Sequence, residues 1–111
     1  AEELLKLYPG HSKGLWLKSV LLYSKKRYLE TVKTLRELFE EKKTDKQYFS
    51  LLGICLRELN RLTESEQAFR HAIQLDPDDP SNFMNLAITL MQMQRYQDAI
   101  YNFENLSHSL K

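Results

Sequence analysis

Apolar side chains recur along this chain at i, i+3, i+4 and i+7, the spacing that lays one stripe along an α-helix. Leu52, Leu56 and Leu59 form such a stripe within 46–59, and Leu62, Ala68, Phe69, Ala72 and Ile73 form one within 62–75. The spacing returns with Phe83, Leu86, Leu90 and Met93 in 80–93, then with Tyr96, Ala99, Ile100, Phe103 and Leu106 in 96–109. Upstream it predicts helices over 12–25 and 28–42. A helix of about 14 residues rises about 21 Å. The turn residues agree. Thr44-Asp45 offers N-cap oxygens before the helix that starts near Lys46. Asp76-Pro77-Asp78-Asp79-Pro80 ends one helix, and Pro80 suits the first turn of the next, where its missing N–H costs nothing.

The stripes themselves repeat every 34 residues. Leu15, Phe49 and Phe83 share a column, as do Ser19, Gly53 and Ala87, and Leu22, Leu56 and Leu90. Thr31, Ser65 and Ala99 follow, then Leu35, Phe69 and Phe103, then Leu38, Ala72 and Leu106. A fixed period of this length predicts an array of like helix pairs. The small residues Ser19, Gly53 and Ala87 sit mid-helix, where glycine costs about 1 kcal/mol against alanine, so a partner helix is expected to pack closely there. Full units are expected at 12–45, 46–79 and 80–111. Residues 1–11 read as the second helix of a preceding unit, because Leu4, Leu7 and Pro9 fall in the columns of Ala72, Leu75 and Pro77. The expected fold is one all-α domain of about seven helices. No polar extra helix follows the last unit, so a piece of a longer array, or ends buried in an oligomer, is expected.

Composition narrows the function classes. With 111 residues and a net charge of +1, the chain carries no general pull toward nucleic acid or anionic membrane. Residues 12–45 hold nine Lys/Arg against five Asp/Glu, residues 46–79 four against six, and residues 80–111 two against two. The basic first unit is the one hint of RNA binding, but aromatics are not interleaved with its Lys and Arg on one face, so no nucleic-acid partner is expected. No apolar run of about 18 residues occurs, so no membrane insertion is expected. The acidic start lacks the character of a signal peptide, and a cytoplasmic location is expected.

Catalysis finds no support in the pattern. His11, His71 and His108 lie in different units without metal-ligand spacing. Cys55, the single cysteine, lies beside the packing stripe with no histidine near it, which predicts a buried inert thiol. The acid pairs Glu40-Glu41, Glu64/Glu66 and Asp78-Asp79 converge on nothing, and no glycine-rich phosphate loop is present. The expectation is a non-enzyme without cofactor or metal.

The columns also carry a resemblance. Phe49-x2-Leu52-Gly53-x2-Leu56, then Ser65-x3-Phe69, Ala72 and Pro77, resembles the tetratricopeptide repeat, and so does Phe83-x2-Leu86-Ala87-x2-Leu90 with Ala99-x3-Phe103. Phenylalanine replaces the family's tryptophan in both units. The first unit departs further: Lys18 replaces a leucine, Lys43 replaces the proline, and Trp16 and Tyr23 each stand one residue late. Two registers result. A straight 34-residue alignment packs Leu15 and Ser19 and turns Trp16 outward; a one-residue deletion near Lys26 would bring Trp16 and Tyr23 into the core. The straight register is preferred.

The resemblance implies a right-handed α-α superhelix, a solenoid of antiparallel helix pairs, whose first helices line a concave groove for a protein or peptide partner. The family's groove columns fall on Lys13, Trp16, Val20 and Tyr23, on Gln47, Ser50, Ile54 and Arg57, and on Ser81, Met84, Ile88 and Met91. These residues also lie off the packing stripe of each helix. A tryptophan, a tyrosine and two methionines make the set largely apolar, which suits a helix or an apolar peptide. Relatives that clamp a carboxylate use several Lys, Arg and Asn in these columns. Here Trp16, Val20, Leu51 and Ser81 stand there with only Asn85 and a few basic residues nearby, so a carboxylate clamp is not expected. Two other readings stay open: that Trp16 and the methionines only cover core edges, and that the array is a spacer or self-assembles through its ends.

Overall fold

The computed structural model of the chain describes residues 12–40 and 45–109. All the regular structure described is helical: α1 (Ser12–Ser24), α2 (Tyr28–Glu40), α3 (Lys46–Glu58), α4 (Leu62–Leu75), α5 (Pro80–Gln92) and α6 (Tyr96–Ser109). The helix starts 12, 46 and 80, and 28, 62 and 96, recur at the 34-residue period. The half unit expected at 1–11 lies outside the described residues. The chain divides into two compact units, one up to Thr44 and one from Asp45.

The first unit is the hairpin α1–α2. Leu15 and Ser19 of α1 and Thr31, Val32, Leu35 and Leu38 of α2 are buried, while Trp16 is half-buried. The packed pair is therefore that of the straight register. Ser19 donates its hydroxyl to the Leu15 carbonyl at 2.9 Å, and Thr31 to the Arg27 carbonyl at 2.8 Å, so the buried hydroxyls are satisfied within the fold.

The second unit is two stacked hairpins, α3–α4 and α5–α6, with α5 packed on α4. Its core joins Phe69 of α4 to Leu86, Ala87 and Leu90 of α5 and Ala99 of α6, with Ile54, Ile73 and Met93 at the edge. The close approach expected at Gly53 is present. A Cβ there would lie 2.7 Å from the Phe69 ring, and the Ser65 hydroxyl reaches across to the Gly53 carbonyl at 2.7 Å. Cys55 is buried.

The hairpin turns explain why three helices stop a residue before the pattern ends. Lys26, Asn60 and Gln94 take the left-handed conformation, with φ of 60°, 61° and 62°. Each N–H returns to a carbonyl three residues back, on Tyr23, Arg57 and Met91. The next N–H, of Arg27, Arg61 or Arg95, returns five residues to Leu22, Leu56 or Leu90. This is the Schellman closure, which satisfies the last carbonyls of the first helix and turns the chain into the second. The same three arginines pair with the acid three residues on: Arg27 with Glu30, Arg61 with Glu64 and Arg95 with Asp98.

α3 and α5 are capped by aspartates. Asp45 accepts from the Tyr48 N–H at 2.9 Å, and Asp79 accepts from the Ser81 N–H at 3.0 Å, with Pro80 in the first turn. Lys46 ties the start of α3 to the α4–α5 link, its Nζ lying 2.5 Å from Asp76 and 3.7 Å from Asp79. The hydrogen bond to Asp76 holds the Lys46 ammonium above its usual pKa, and the same bond holds the Asp76 carboxyl below its own.

Candidate interaction surface

Twelve positions were expected to face a partner, and the structure places them in three groups. Lys13, Gln47 and Ser81 are exposed at the starts of α1, α3 and α5. Of these, Ser81 is engaged in capping, its hydroxyl donating to Asp79 at 2.7 Å.

A second group is tied into the helix packing of its own unit. Ser50 lies 2.8 Å from the Lys46 carbonyl and 2.6 Å from the Asn82 amide oxygen. Ile54 is half-buried against the Phe69 cluster. Arg57 donates to both the carbonyl and the side-chain oxygen of Asn85 at 3.3 Å, and its guanidinium lies 5.7 Å from the Phe69 ring centre. These three span from α3 to α5 or α4 and form a floor rather than a protruding contact. Buried Asn82 and half-buried Asn85 complete that floor; Asn85 was noted near the groove columns, whereas Asn82 escaped the sequence reading because it is neither apolar nor in a repeated column.

The third group is apolar and open. Met84 and Met91 of α5 are 47% and 45% exposed, and half-buried Ile88 stands between them on the same helix face. A methionine pair seven residues apart around an isoleucine is a continuous stripe about two turns long. On α1, exposed Val20 lies with half-buried Trp16 and Tyr23, and the Tyr23 ring tilts against Tyr28 at 6.1 Å. Exposed Leu17 adds to that α1 face and was not among the expected positions.

The residues considered for chemistry stay apart. His71 is exposed on α4 and its ring stacks on Phe49 at 5.0 Å, and buried Cys55 lies inside the unit. Among the described residues no group of three or more His, Cys, Asp or Glu could hold a metal ion, and no helix is long and apolar enough to cross a membrane.

Helix pairs repeating at 34 residues, closed by recurrent turns and packed through small-residue columns, define a tetratricopeptide-type helical-repeat solenoid. The chain belongs to the family described as Psidin, N-terminal TPR repeats region, which matches residues 1–102. It is similar to the phagocyte signaling-impaired protein of Drosophila pseudoobscura pseudoobscura, 27% identical over 97 residues, covering 87% of this chain and 10% of that protein. It is also similar to the peroxisomal targeting signal receptor of Eremothecium gossypii, 30% identical over 99 residues, covering 89% of this chain and 17% of that protein. The chain thus spans less than a fifth of the length of either relative. Among solved structures, MamA of Desulfovibrio magneticus RS-1 superposes with a TM-score of 0.91 at 21% identity, over 97% of this chain and 61% of that one. The TPR2B domain of yeast Sti1, solved in a complex with pHsp70, superposes with a TM-score of 0.82 at 17% identity, over 88% and 78%. At these identities the two structures attest the fold.

Proposed function

We propose that this segment is a non-catalytic interaction module that holds an apolar-faced helix or an extended apolar peptide of a partner protein. The observation that carries the reading is the open stripe Met84–Ile88–Met91 on α5, beside a floor in which Arg57 is held by Asn85 and the Ser50 hydroxyl by the Asn82 amide oxygen. Methionine side chains are flexible and polarisable, so they adapt to an apolar ligand without a matched polar partner. Trp16, Val20 and Tyr23 offer the same chemistry on α1. The repeat class, and the likeness to a peroxisomal targeting signal receptor and to a TPR2B domain solved in a complex with pHsp70, support the same reading. Of the twelve surface positions only Lys13 and Arg57 are basic, and Arg57 is occupied by Asn85, which suits neither a carboxylate clamp nor RNA.

The test is selection from a random peptide display library on the intact chain. Recovered peptides should carry apolar residues at i, i+3 or i+4, and i+7. They should lose at least tenfold in affinity on a Trp16→Ala/Met84→Ala/Met91→Ala variant whose melting temperature is unchanged. Peptides that bind wild type and variant alike would place the binding surface elsewhere.

A further inference from the structure

All three methionines of the chain stand between residues 84 and 93, and the structure divides them. Met84 and Met91 are 47% and 45% exposed on α5, whereas Met93, which closes that helix, is half-buried against the Phe69 cluster. Seven residues along a helix bring the chain back to within about 20° of the same face and about 10.5 Å further on, so the two exposed thioethers bracket Ile88. Cys55, the remaining sulfur, is 0% exposed and shielded from an oxidant in solvent. Oxidation by peroxide follows exposure, and a single oxygen atom turns the flexible apolar methionine into a polar side chain. The sulfurs that an oxidant meets first are therefore the two that line the open stripe. Leucine at 84 and 91 would offer similar apolar area with less rotamer freedom to lose on binding. What sulfur adds there, beyond area, is adaptability and a reversible chemistry.

On the reading of that stripe as the partner surface, we propose that Met84 and Met91 form a reversible oxidation site, through which a peroxide turns the stripe polar and releases the apolar segment held there. In the step, a lone pair on the thioether sulfur attacks one peroxide oxygen and the O–O bond breaks. The sulfur is oxidised to a sulfoxide, and the second oxygen of hydrogen peroxide leaves as water. No charge is created, but each sulfoxide oxygen is an acceptor that loses its water when an apolar ligand closes over it. The effect is graded, since one sulfoxide spoils one end of the stripe and two leave only Ile88 apolar between them. Both side chains are exposed when no partner is bound, so their oxidation costs the fold little. The same change at Met93 would set a polar group at the edge of the Phe69 cluster. Binding is therefore lost before the fold is. Both sulfoxides stay open to the reductases that return each epimer to the thioether.

The test uses the intact chain and, as probe, a display-selected peptide free of Met, Cys and Trp. Brief treatment with dilute hydrogen peroxide is followed by mass mapping of each methionine, a thermal melt and a titration with the probe. Met84 and Met91 should convert at least about fivefold faster than Met93. The affinity should fall at least about tenfold while the melting temperature holds within about 2 °C. The two methionine sulfoxide reductases, one for each epimer, should restore the affinity. In a Met84→Leu/Met91→Leu chain the affinities before and after peroxide should agree, whatever their starting value. Met93 reacting first, or the leucine chain losing affinity as the wild type does, would overturn the oxidation site. So would a probe that needs both methionines, as Met84→Ala/Met91→Ala shows, yet binds oxidised and reduced wild type equally. A probe indifferent to Met84→Ala/Met91→Ala would overturn the reading of the stripe as partner surface, and the oxidation switch with it.

Discussion

Phe69 and Phe103 hold the same column one repeat apart, yet one is fully buried and the other is 40% exposed. Two things separate them. Phe69 faces Gly53, whose missing Cβ lets the ring settle against the helix backbone, whereas Ala87 already carries a Cβ in that column. Phe69 is also roofed by Leu86 and Leu90 of the next hairpin, whereas the corresponding face of α6 is open. Identical positions in a repeat are therefore not equivalent. A column's worth depends on whether a following unit covers it, as a nearest-neighbour account of solenoids requires.

The largest expected effect comes from truncating each ring in turn. Phe69→Ala removes a fully buried aromatic from the centre of the second unit and should cost about 3–5 kcal/mol. Phe103→Ala, already part-solvated, should cost about 1 kcal/mol. Urea unfolding of both variants checks the contrast, and equal losses would mean that α6 is as well covered as α4.

Exchanging the small residues comes next. Gly53→Ala gains about 1 kcal/mol of helix propensity but drives a Cβ to 2.7 Å from the buried Phe69 ring, an overpacking of about 1–3 kcal/mol. The net should be a loss of about 1 kcal/mol. Pairing it with Phe69→Leu should remove the clash, so the double variant should be more stable than the sum of the single changes. Ala87→Gly should cost about 2 kcal/mol, from lost helix propensity and from the buried methyl it removes from the Phe69 cluster. A stabilised Gly53→Ala protein would show that the ring yields freely.

The parts of this molecule that the sequence disclosed are those in which side-chain type repeats. Leu15, Ser19, Ser65, Phe69 and Leu90 could be placed in the core because apolar and small columns recur at 34 residues, and all five are buried. The cap at Asp45 was legible as an oxygen acceptor ahead of a stripe, while Asp79, one repeat later, was read only as part of a turn and proves to cap α5. The arginine column Arg27, Arg61 and Arg95, with its acid three residues on, was equally periodic but invisible to a search for apolar periodicity. The left-handed column was not legible as a repeat, because Lys26 shares its backbone conformation but not its side-chain chemistry with the carboxamides Asn60 and Gln94. At the candidate surface, Met84 and Met91 were readable as off-stripe apolar residues. That Ser50, Ile54 and Arg57 are taken up in packing depends on neighbours 28 to 32 residues away and on the core edge, which column spacing does not reveal.

That left-handed column offers a finer comparison between the two hairpins of the second unit. Asparagine tolerates the left-handed region and glutamine does so poorly, although Asn60 and Gln94 have φ values one degree apart. Gln94→Gly should therefore stabilise the chain by about 1 kcal/mol, less the entropy that glycine adds to the unfolded state, and Asn60→Gly by a few tenths at most. Thermal melts of the two variants rank them. A larger gain at Asn60 would mean that the turn, despite its geometry, is not where the last hairpin is weak.

The smallest effect separates the hairpins by pH. Lys46 clamps the start of α3 to Asp76 and Asp79, while Pro80 stands in its column at the start of α5 and has no charge to offer. The Asp76 carboxyl, held low chiefly by the Lys46 hydrogen bond, contributes stability that is present above its unfolded pKa near pH 4 and is lost as pH falls through the lower folded value. Lys46, raised by the same bond, contributes stability that is present below its unfolded pKa and is lost as pH rises through the higher folded one. Both groups are solvated, so the effect is modest and salt-sensitive. Asp76→Asn should flatten the acid limb of the stability profile below pH 4 and leave the α5–α6 amides unchanged in hydrogen exchange. An unaltered acid limb would show that the clamp is ornamental, and the contrast between the two hairpins would then rest on their aromatic columns, small residues and turns.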